Sequence, residues 1–330
     1  MRILLLIFSL CCSSILAAAD PVLPDWFKTS FLDLSEDLEQ AKQNNRHIML
    51  YFHQNGCPYC AKLVRDNFHD KALVAKLQKN FDAIEINMFG NRDLTDWNGK
   101  DFSEKQFAEY LRVQFTPTLI FLSKKGQVVL RLNGYQSVDK MHIALDYVDR
   151  KAYLQKSFAH YLGDLKINKA GKLNDSNIFE PHPHLLMRNQ TRAAQRYLAV
   201  FFEQPNCIEC DYFHHNLLPL KYTQNALKQM QVVRFNALSD EKLITPAGEK
   251  TTAKNWYDSL KLTYAPAVVF FDKTGTEIIR KDAYFKQFHW HSMLDYVLSG
   301  AYKTQPNFQR FIINRGDEMR KQGISVDIWK

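Results

Sequence analysis

The strongest constraint on how this chain folds is that it repeats itself. "YFHQNGCPYC" at 51–60 returns as "FFEQPNCIEC" at 201–210, so the cysteine pairs lie 150 positions apart. "FLSKKGQVVLRLNGY" at 121–135 matches "FFDKTGTEIIRKDAY" at 270–284 in Phe, Lys, Gly, Arg and Tyr, at an offset of 149. "LDYV" at 145–148 recurs at 294–297, Ala152-Tyr153 recurs as Ala301-Tyr302, and Gly99 and Gly248 keep the same offset. One residue is therefore lost between the second cysteine pair and Gly248. A period near 150 is too long for a short-repeat solenoid and suits one ordinary domain, so the 330 residues read as two copies of one domain.

Each copy shows the same order of elements. In copy one, "LSEDLEQAKQNN" places Leu34, Leu38 and Ala41 at helical spacing, and the apolar run "HIMLYF" suits a strand buried on both faces. The cysteine pair follows where a helix begins. "ALVAKLQKN" continues as helix and "FDAIEINM" as strand, and Ser103-Glu104-Lys105-Gln106 has the form of a capping box opening "EKQFAEYLRV". "TPTLIFL" and "VVLRLNGY" make a hairpin around Lys125-Gly126, and a helix through "LDYV" closes the copy. Copy two follows this order from about Arg192. The fold class is α/β: two similar domains, residues 20–162 and 192–330, the second with a C-terminal helical extension. Between them 163–191 is polar, bears Gly and Pro, and reads as linker and lead-in.

The start, "MRILLLIFSLCCSSILAAAD", has an early Arg2, an apolar run and small residues before Asp20. It reads as a secretory signal over residues 1–19, cleaved after Ala17-Ala18-Ala19. The alternative is an uncleaved anchor, for which the segment falls short of the ~20 apolar residues a span needs. Cleavage removes Cys11 and Cys12, so all four remaining cysteines lie in the two C-x-x-C elements. A disulfide framework would join distant segments, whereas residues three apart point to redox-active pairs. The expected location is the periplasm.

Charge says less. The formal net charge is +8, with no basic run or interleaved aromatic stripe, so nucleic acid is not an expected partner. Metal is not expected either: zinc knuckles lie close together within one small domain, whereas each pair here has its own copy. His182 and His184 have no third ligand nearby. Haem attachment requires His directly after the second cysteine, where Ala61 and Asp211 stand. No cofactor is expected.

A dithiol exchanger needs one thiolate to attack and a second thiol to resolve the mixed disulfide. Two cysteines three apart at a helix start meet both needs, because the helix N-terminus favours the first as thiolate and one turn brings the second beneath it. Cys57 and Cys207 are the expected nucleophiles, Cys60 and Cys210 the resolving thiols. Thr116-Pro117 and Ala265-Pro266 stand about 60 residues after each first cysteine, in matched places; a Pro that merely starts a strand is the simpler alternative.

"YFHQNGCPYC", "FTPTLIF" and the trailing "GY…LDYV…AY" resemble the exported SoxW-like thioredoxins of bacteria, with two modules in tandem. The resemblance covers nearly the whole chain after the signal and is weaker in copy two, which departs at Asn206, Ile208, Glu209 and Ala265. It implies tandem thioredoxin-like folds, each a central mixed sheet flanked by helices. It also implies that Pro117 and Pro266 are cis and face the cysteines, with Thr116 and Ala265 offering backbone to a substrate strand. It further implies a thiol-disulfide oxidoreductase acting reductively on disulfide-containing exported proteins, kept reduced by a membrane electron carrier of the DsbD/CcdA type. Thioredoxins commonly place a carboxylate six residues before the first cysteine, but Tyr51 and Phe201 stand there. Strand alternation puts His53 and Glu203 on the same faces, as possible proton relays.

Two other readings stay open: a peptide-binding or chaperone-like protein with tandem grooves, and a sulfur-carrier partner forming a persulfide on Cys57. The enclosed residues carry one further expectation. Glu209 and Asp211 disfavour a thiolate at Cys207, which makes Cys57/Cys60 the more oxidising pair and sends electrons to it from Cys207/Cys210. The histidines of "HWH" at 289–291 and the pair His214-His215 are expected along helix surfaces.

Overall fold

The computed structural model describes residues 22–165, 171–282 and 286–329; the expected signal segment lies outside the described residues. Copy one contains α1 (Leu34–Gln43), β1 (His47–His53), α2 (Pro58–Asp66), α3 (Lys71–Asn80), β2 (Phe81–Asn87), the short pair β3 (Asp93–Thr95) and β4 (Asp101–Ser103), α4 (Glu104–Tyr110), β5 (Thr118–Leu122), β6 (Val128–Asn133), α5 (Val138–Asp149) and α6 (Phe158–Leu165). Copy two contains β7 (Tyr197–Glu203), α7 (Ile208–Tyr212), α8 (Lys221–Leu227), β8 (Met230–Asn236), β9 (Lys242–Ile244), β10 (Lys250–Thr252), α9 (Ala253–Ser259), β11 (Ala267–Phe271), β12 (Glu277–Asp282), α10 (Gln287–Leu298) and α11 (Phe308–Lys321).

Each copy builds a mixed four-stranded sheet, β2-β1-β5-β6 and β8-β7-β11-β12. The first two strands of each order are parallel and the others antiparallel. The apolar run of β1 is explained by burial on both sides. Met49 and Tyr51 join Leu63, Leu77 and Met141 from α2, α3 and α5, while Ile48, Leu50 and Phe52 join Leu34, Ala41 and Phe107 from α1 and α4. Copy two splits β7 the same way, with Ala199 and Phe201 on Trp290 and Met293, and Leu198, Val200 and Phe202 on Trp256 and Tyr257. The expected capping box is present: Gln106 N donates to Ser103 Oγ, and Ser103 N to Gln106 Oε1.

The repeat extends further upstream than sequence matching reached. Lys28 N donates to Ala83 O and Glu180 N to Val232 O, each at 2.8 Å, so both copies open with an extended lead-in bonded to the same edge strand. In copy two Leu186, on the stretch before β7, packs with Leu198 and Val200 on the face that α1 covers in copy one.

The copies meet through equivalent residues. Phe115, two before Pro117, packs in the core of copy two, its ring 5.5 Å from Phe308 at the start of α11. Tyr264, two before Pro266, packs in the core of copy one, 5.6 Å from Phe158 at the start of α6. Asn133 Nδ2 donates to Asp282 Oδ1 at 3.2 Å, and these two residues are 149 apart. A contact in which i meets j and j meets i is the signature of two-fold packing, here within one chain. It turns the two proline loops toward each other.

Candidate active site

The first cysteine of each pair caps the helix that follows its strand. Cys57 Sγ accepts from Cys60 N, and Cys207 Sγ from Cys210 N, both at 3.1 Å. The pairs are disulfides with Cα separations of 5.2 and 5.1 Å. Pro58 at the first helical position loses no hydrogen bond there. The turn before each pair needs a left-handed residue, supplied by Gly56 at φ +67° and by Asn206 at φ +54°. Cys57 is 5 % and Cys207 3 % exposed, while the next residue lies open, Ile208 at 79 %.

Both Thr116-Pro117 and Ala265-Pro266 are cis. Their loops lead into β5 and β11, whose first residues pair near the ends of β1 and β7: Thr118 with Phe52, and Ala267 with Phe202. Each proline loop therefore starts beside the strand end that carries a cysteine pair. Gly134 N bonds Pro117 O at 2.7 Å and fixes the first loop.

A cavity of about 680 Å³ lies where the copies meet. Copy one contributes Gln54 to Tyr59, Thr116 and Gly134 to Ser137; copy two contributes Glu209, Lys281, Lys286 and His289. Helix α11 and the tail after it close the remaining wall with Ile312, Ile313, Ile328 and Trp329. The Tyr59 hydroxyl donates to the Ile328 carbonyl, and the Tyr59 ring lies 4.6 Å from Trp329.

Across this cavity each copy touches the residue enclosed by the other's cysteines. The His289 ring meets Tyr59 edge-on at 5.5 Å, and Lys140 Nζ meets Glu209 Oε1 at 2.5 Å. Tyr59 and Glu209 are equivalent positions, as are Lys140 and His289. The carboxylate set against the Cys207 thiolate by sequence reasoning is thus held by a cation from copy one. That weakens the expected difference in potential between the pairs.

The proposed proton relays have their own partners. His53 donates to Glu85 Oε2 at 2.6 Å and stacks on Tyr51, and with Arg92 it holds the Glu85 carboxyl below its ordinary range. Glu203 is fully buried, accepting from His214 Nε2 at 2.8 Å and Arg234 Nη1 at 3.3 Å. Neither is among the residues lining the cavity. His214 departs from the surface placement expected of it, whereas His215 is exposed and His289 and His291 are partly exposed. The His214 side chain is 6 % exposed, and Trp290 is fully buried with its indole N–H on Thr223 Oγ1. His289 Nδ1 is buried without a hydrogen-bond partner among the described residues, and burial, with Lys281 and Lys286 nearby, pushes the imidazole down to about 3.

Sequence reasoning passed over Lys281, yet the repeat marked it. It occupies the place of Leu132, which is fully buried. Lys281 is 7 % exposed, its ammonium 4.6 Å over the Phe115 ring, and burial pushes it down to about 8. Phe115 and Tyr264 were visible only as aromatics two before each proline. No group of three or more His, Cys, Asp or Glu suited to a metal occurs among the described residues.

Comparison with known proteins gives the same two units. A thioredoxin-like domain profile matches residues 34–149 and again 187–298. No curated protein matches. Among solved structures, a thioredoxin-fold protein from Helicobacter pylori is 25 % identical, over 37 % of this chain and 81 % of its own, with a TM-score of 0.34. A thioredoxin from Thermus thermophilus is 25 % identical, over 35 % and 83 %, with a TM-score of 0.30. A DsbH oxidoreductase is 16 % identical, over 43 % and 94 %, also with a TM-score of 0.30. Two matched domains, each with a disulfide capping a helix, fit one chemistry, the exchange of thiols with disulfides. With more than half its length matched, the chain belongs to the thioredoxin-like domain family and carries the domain twice.

Proposed function

We propose that this thiol-disulfide oxidoreductase is an exported protein of the SoxW-like type, working in the periplasm to reduce disulfides in exported proteins and recharged by a DsbD/CcdA-type membrane carrier. The observation that carries the reading is the duplicated site: a cysteine capping a helix, its partner one turn on, and a cis X-Pro loop beside them. In the reduced form the Cys57 or Cys207 thiolate attacks one sulfur of a substrate disulfide and expels the other as a thiolate, which takes up a proton. Cys60 or Cys210 then loses its proton and attacks the first cysteine's sulfur, releasing the second substrate thiol and leaving the pair oxidised. Backbone at Thr116 and Ala265 offers strand-type pairing, which recognises extended polypeptide with little regard to sequence. The apolar run and the small residues before Asp20, which have the pattern of a secretory signal, support export.

Trapping tests this. Cys60→Ser and Cys210→Ser variants expressed with the native leader should each accumulate mixed disulfides with exported proteins, and the mature chain should begin at Asp20. Absence of mixed disulfides from both variants, together with no disulfide reduction by the wild type, overturns the activity. Retention in the cytoplasm overturns the location alone.

A further inference from the structure

We propose that the tail, residues 324–329, is a tethered ligand seated in the polypeptide-binding site of the first cysteine pair. Cys57–Cys60 then serves extended polypeptides of the same pattern, alternating apolar residues beside an aromatic one, which must displace the tail to exchange. The inference rests on the exchange reading above and names the substrate class of one pair.

The route of the tail is encoded at the end of α11. Gly323 takes the left-handed φ of +77°. Its N–H donates to Arg320 O and that of Ile324 to Met319 O, both at 2.9 Å. These two bonds are the glycine stop that turns a chain off a helix axis, and the residues that follow reach the cavity, where Ile328 and Trp329 form part of the wall.

The tail lies there as a bound peptide does. Ile324, Val326 and Ile328 alternate with Ser325 and Asp327. Val326 and Ile328 are half-buried while Ser325 and Asp327 are exposed, the period-two pattern of an extended segment resting on a surface by one face. Its contacts fall on Tyr59, between the cysteines: the Tyr59 hydroxyl donates to the Ile328 carbonyl, and the Trp329 ring lies 4.6 Å from the Tyr59 ring. A backbone carbonyl and an apolar side chain are groups that a substrate polypeptide shares.

The seat is also the one a substrate needs. Cys57 is only 5 % exposed, and Cys57, Tyr59, Thr116, Ile328 and Trp329 line one cavity. Exchange brings an incoming sulfur to bonding distance of Cys57 Sγ, and an extended chain advances by about 3.3 Å per residue. Residues flanking the substrate cysteine therefore occupy the space beside Tyr59 that the tail fills. Ile312 and Ile313 of α11 stand in the same wall, so apolar neighbours of that cysteine gain most by entering.

The hold is shallow enough to yield. Trp329 remains 46 % exposed, and one neutral hydrogen bond with one ring contact biases an equilibrium by about tenfold. The stretch after α6 crosses to the second pair in the equivalent way, Asn174 Nδ2 donating to Asp211 Oδ1 at 2.8 Å. It then joins the edge of the copy-two sheet, where Glu180 N is bonded to Val232 O. Anchored in a sheet, that stretch is not displaced as a shallowly seated tail is.

The experiment uses full-length chains keeping one pair each, Cys207→Ser/Cys210→Ser and Cys57→Ser/Cys60→Ser, with and without Ile328→Ser/Trp329→Ser. The rate of insulin reduction is measured. In the first-pair chain the tail change should raise the rate about tenfold, because the open fraction sets the apparent affinity for substrate; the second-pair chain should not respond. A free peptide of residues 322–330 at about 1 mM, the effective concentration of a short tether, should slow the changed first-pair chain again. The same peptide carrying Val326→Ser, Ile328→Ser and Trp329→Ser should not. No gain at the first pair, an equal gain at both pairs, or no difference between the two peptides overturns the proposal while leaving the exchange reading intact. Failure of every chain to reduce insulin overturns both.

Discussion

Replacing Lys140 by Met should make the Cys207–Cys210 pair more reducing, although Lys140 belongs to the other copy. Its ammonium lies 2.5 Å from Glu209, between those cysteines, with the two side chains 32 % and 22 % exposed. Without it the carboxylate loses this cation while standing two residues from Cys207 on the first helical turn, roughly 6 Å from its sulfur. Unit charges at that distance interact by about 3 kcal/mol at an effective dielectric of 20 and under 1 kcal/mol in water, so about 1 kcal/mol is reasonable for a half-exposed site. The sign is fixed: a nearby negative charge disfavours the thiolate, and a reduced form so destabilised lowers the potential. For a two-electron couple 1 kcal/mol corresponds to roughly 20 mV.

Equilibration of the Cys57→Ser/Cys60→Ser chain with glutathione buffers, with and without Lys140→Met, measures the shift directly. The double change Lys140→Met/Glu209→Gln removes both charges and should return the potential to near its starting value, while Glu209→Gln alone should raise it. An unchanged or higher potential for Lys140→Met, or a drop that persists in the double variant, would refute the electrostatic account. It also follows that the two pairs of the intact protein differ less in potential than their enclosed residues alone suggest.

Three further outcomes are expected. Deleting residues 322–330 frees Tyr59 from Ile328 and Trp329, so alkylation of the reduced first pair should accelerate several-fold, with the second pair unchanged; equal rates would show that the tail is no barrier. Lys281→Met should stabilise the protein at pH 7 by up to about 3 kcal/mol in urea unfolding, since burial moves this ammonium from 10.5 to about 8. The unfolded chain binds the extra proton between those values, so wild-type stability should rise as pH climbs from about 8 toward 10.5, a rise missing from the variant. Glu203→Gln leaves Arg234 and His214 without their buried carboxylate and should cost about 3 kcal/mol or more; a loss below about 1 kcal/mol would mean that the cluster contributes little.

The sequence carried the fold of each copy because its signals are local. The unbroken apolar run of β1, the Ser103 cap and the cysteines at a helix start each report what their own neighbours do. The meeting of the copies was hidden for the opposite reason. Periodicity reports that Phe115 or Tyr264 is apolar, not that each fills the other copy's core. Lys281 shows the boundary between the two: placed against Leu132 in the repeat, it puts a charge where a core residue belongs, but what it faces depends on which sheet edges meet. His53 and Glu203 show it as well. Their strand faces were readable, but their partners Glu85 and Arg234 lie on the neighbouring strand.

Those last four residues explain how the copies came to differ without losing their fold. Glu85 and Arg234 are equivalent positions, as nearly are His53 and Glu203, so the acidic and basic members of the pair have exchanged strands between copies. A charge reversed on one strand is answered on the next, because an unanswered buried charge costs several kcal/mol. The same rule operates across the interface, with the answer given by the other copy: Tyr59 meets an imidazole where Glu209 meets an ammonium. What lies between each pair of cysteines is therefore matched only through the fold, Glu209 to Lys140, 69 positions away, and Tyr59 to His289, 230 positions away, and its effect on the thiols includes that partner. A single copy taken alone would lose the partner and would expose Phe115 or Tyr264, so the tuning of each disulfide is a property of the doubled chain.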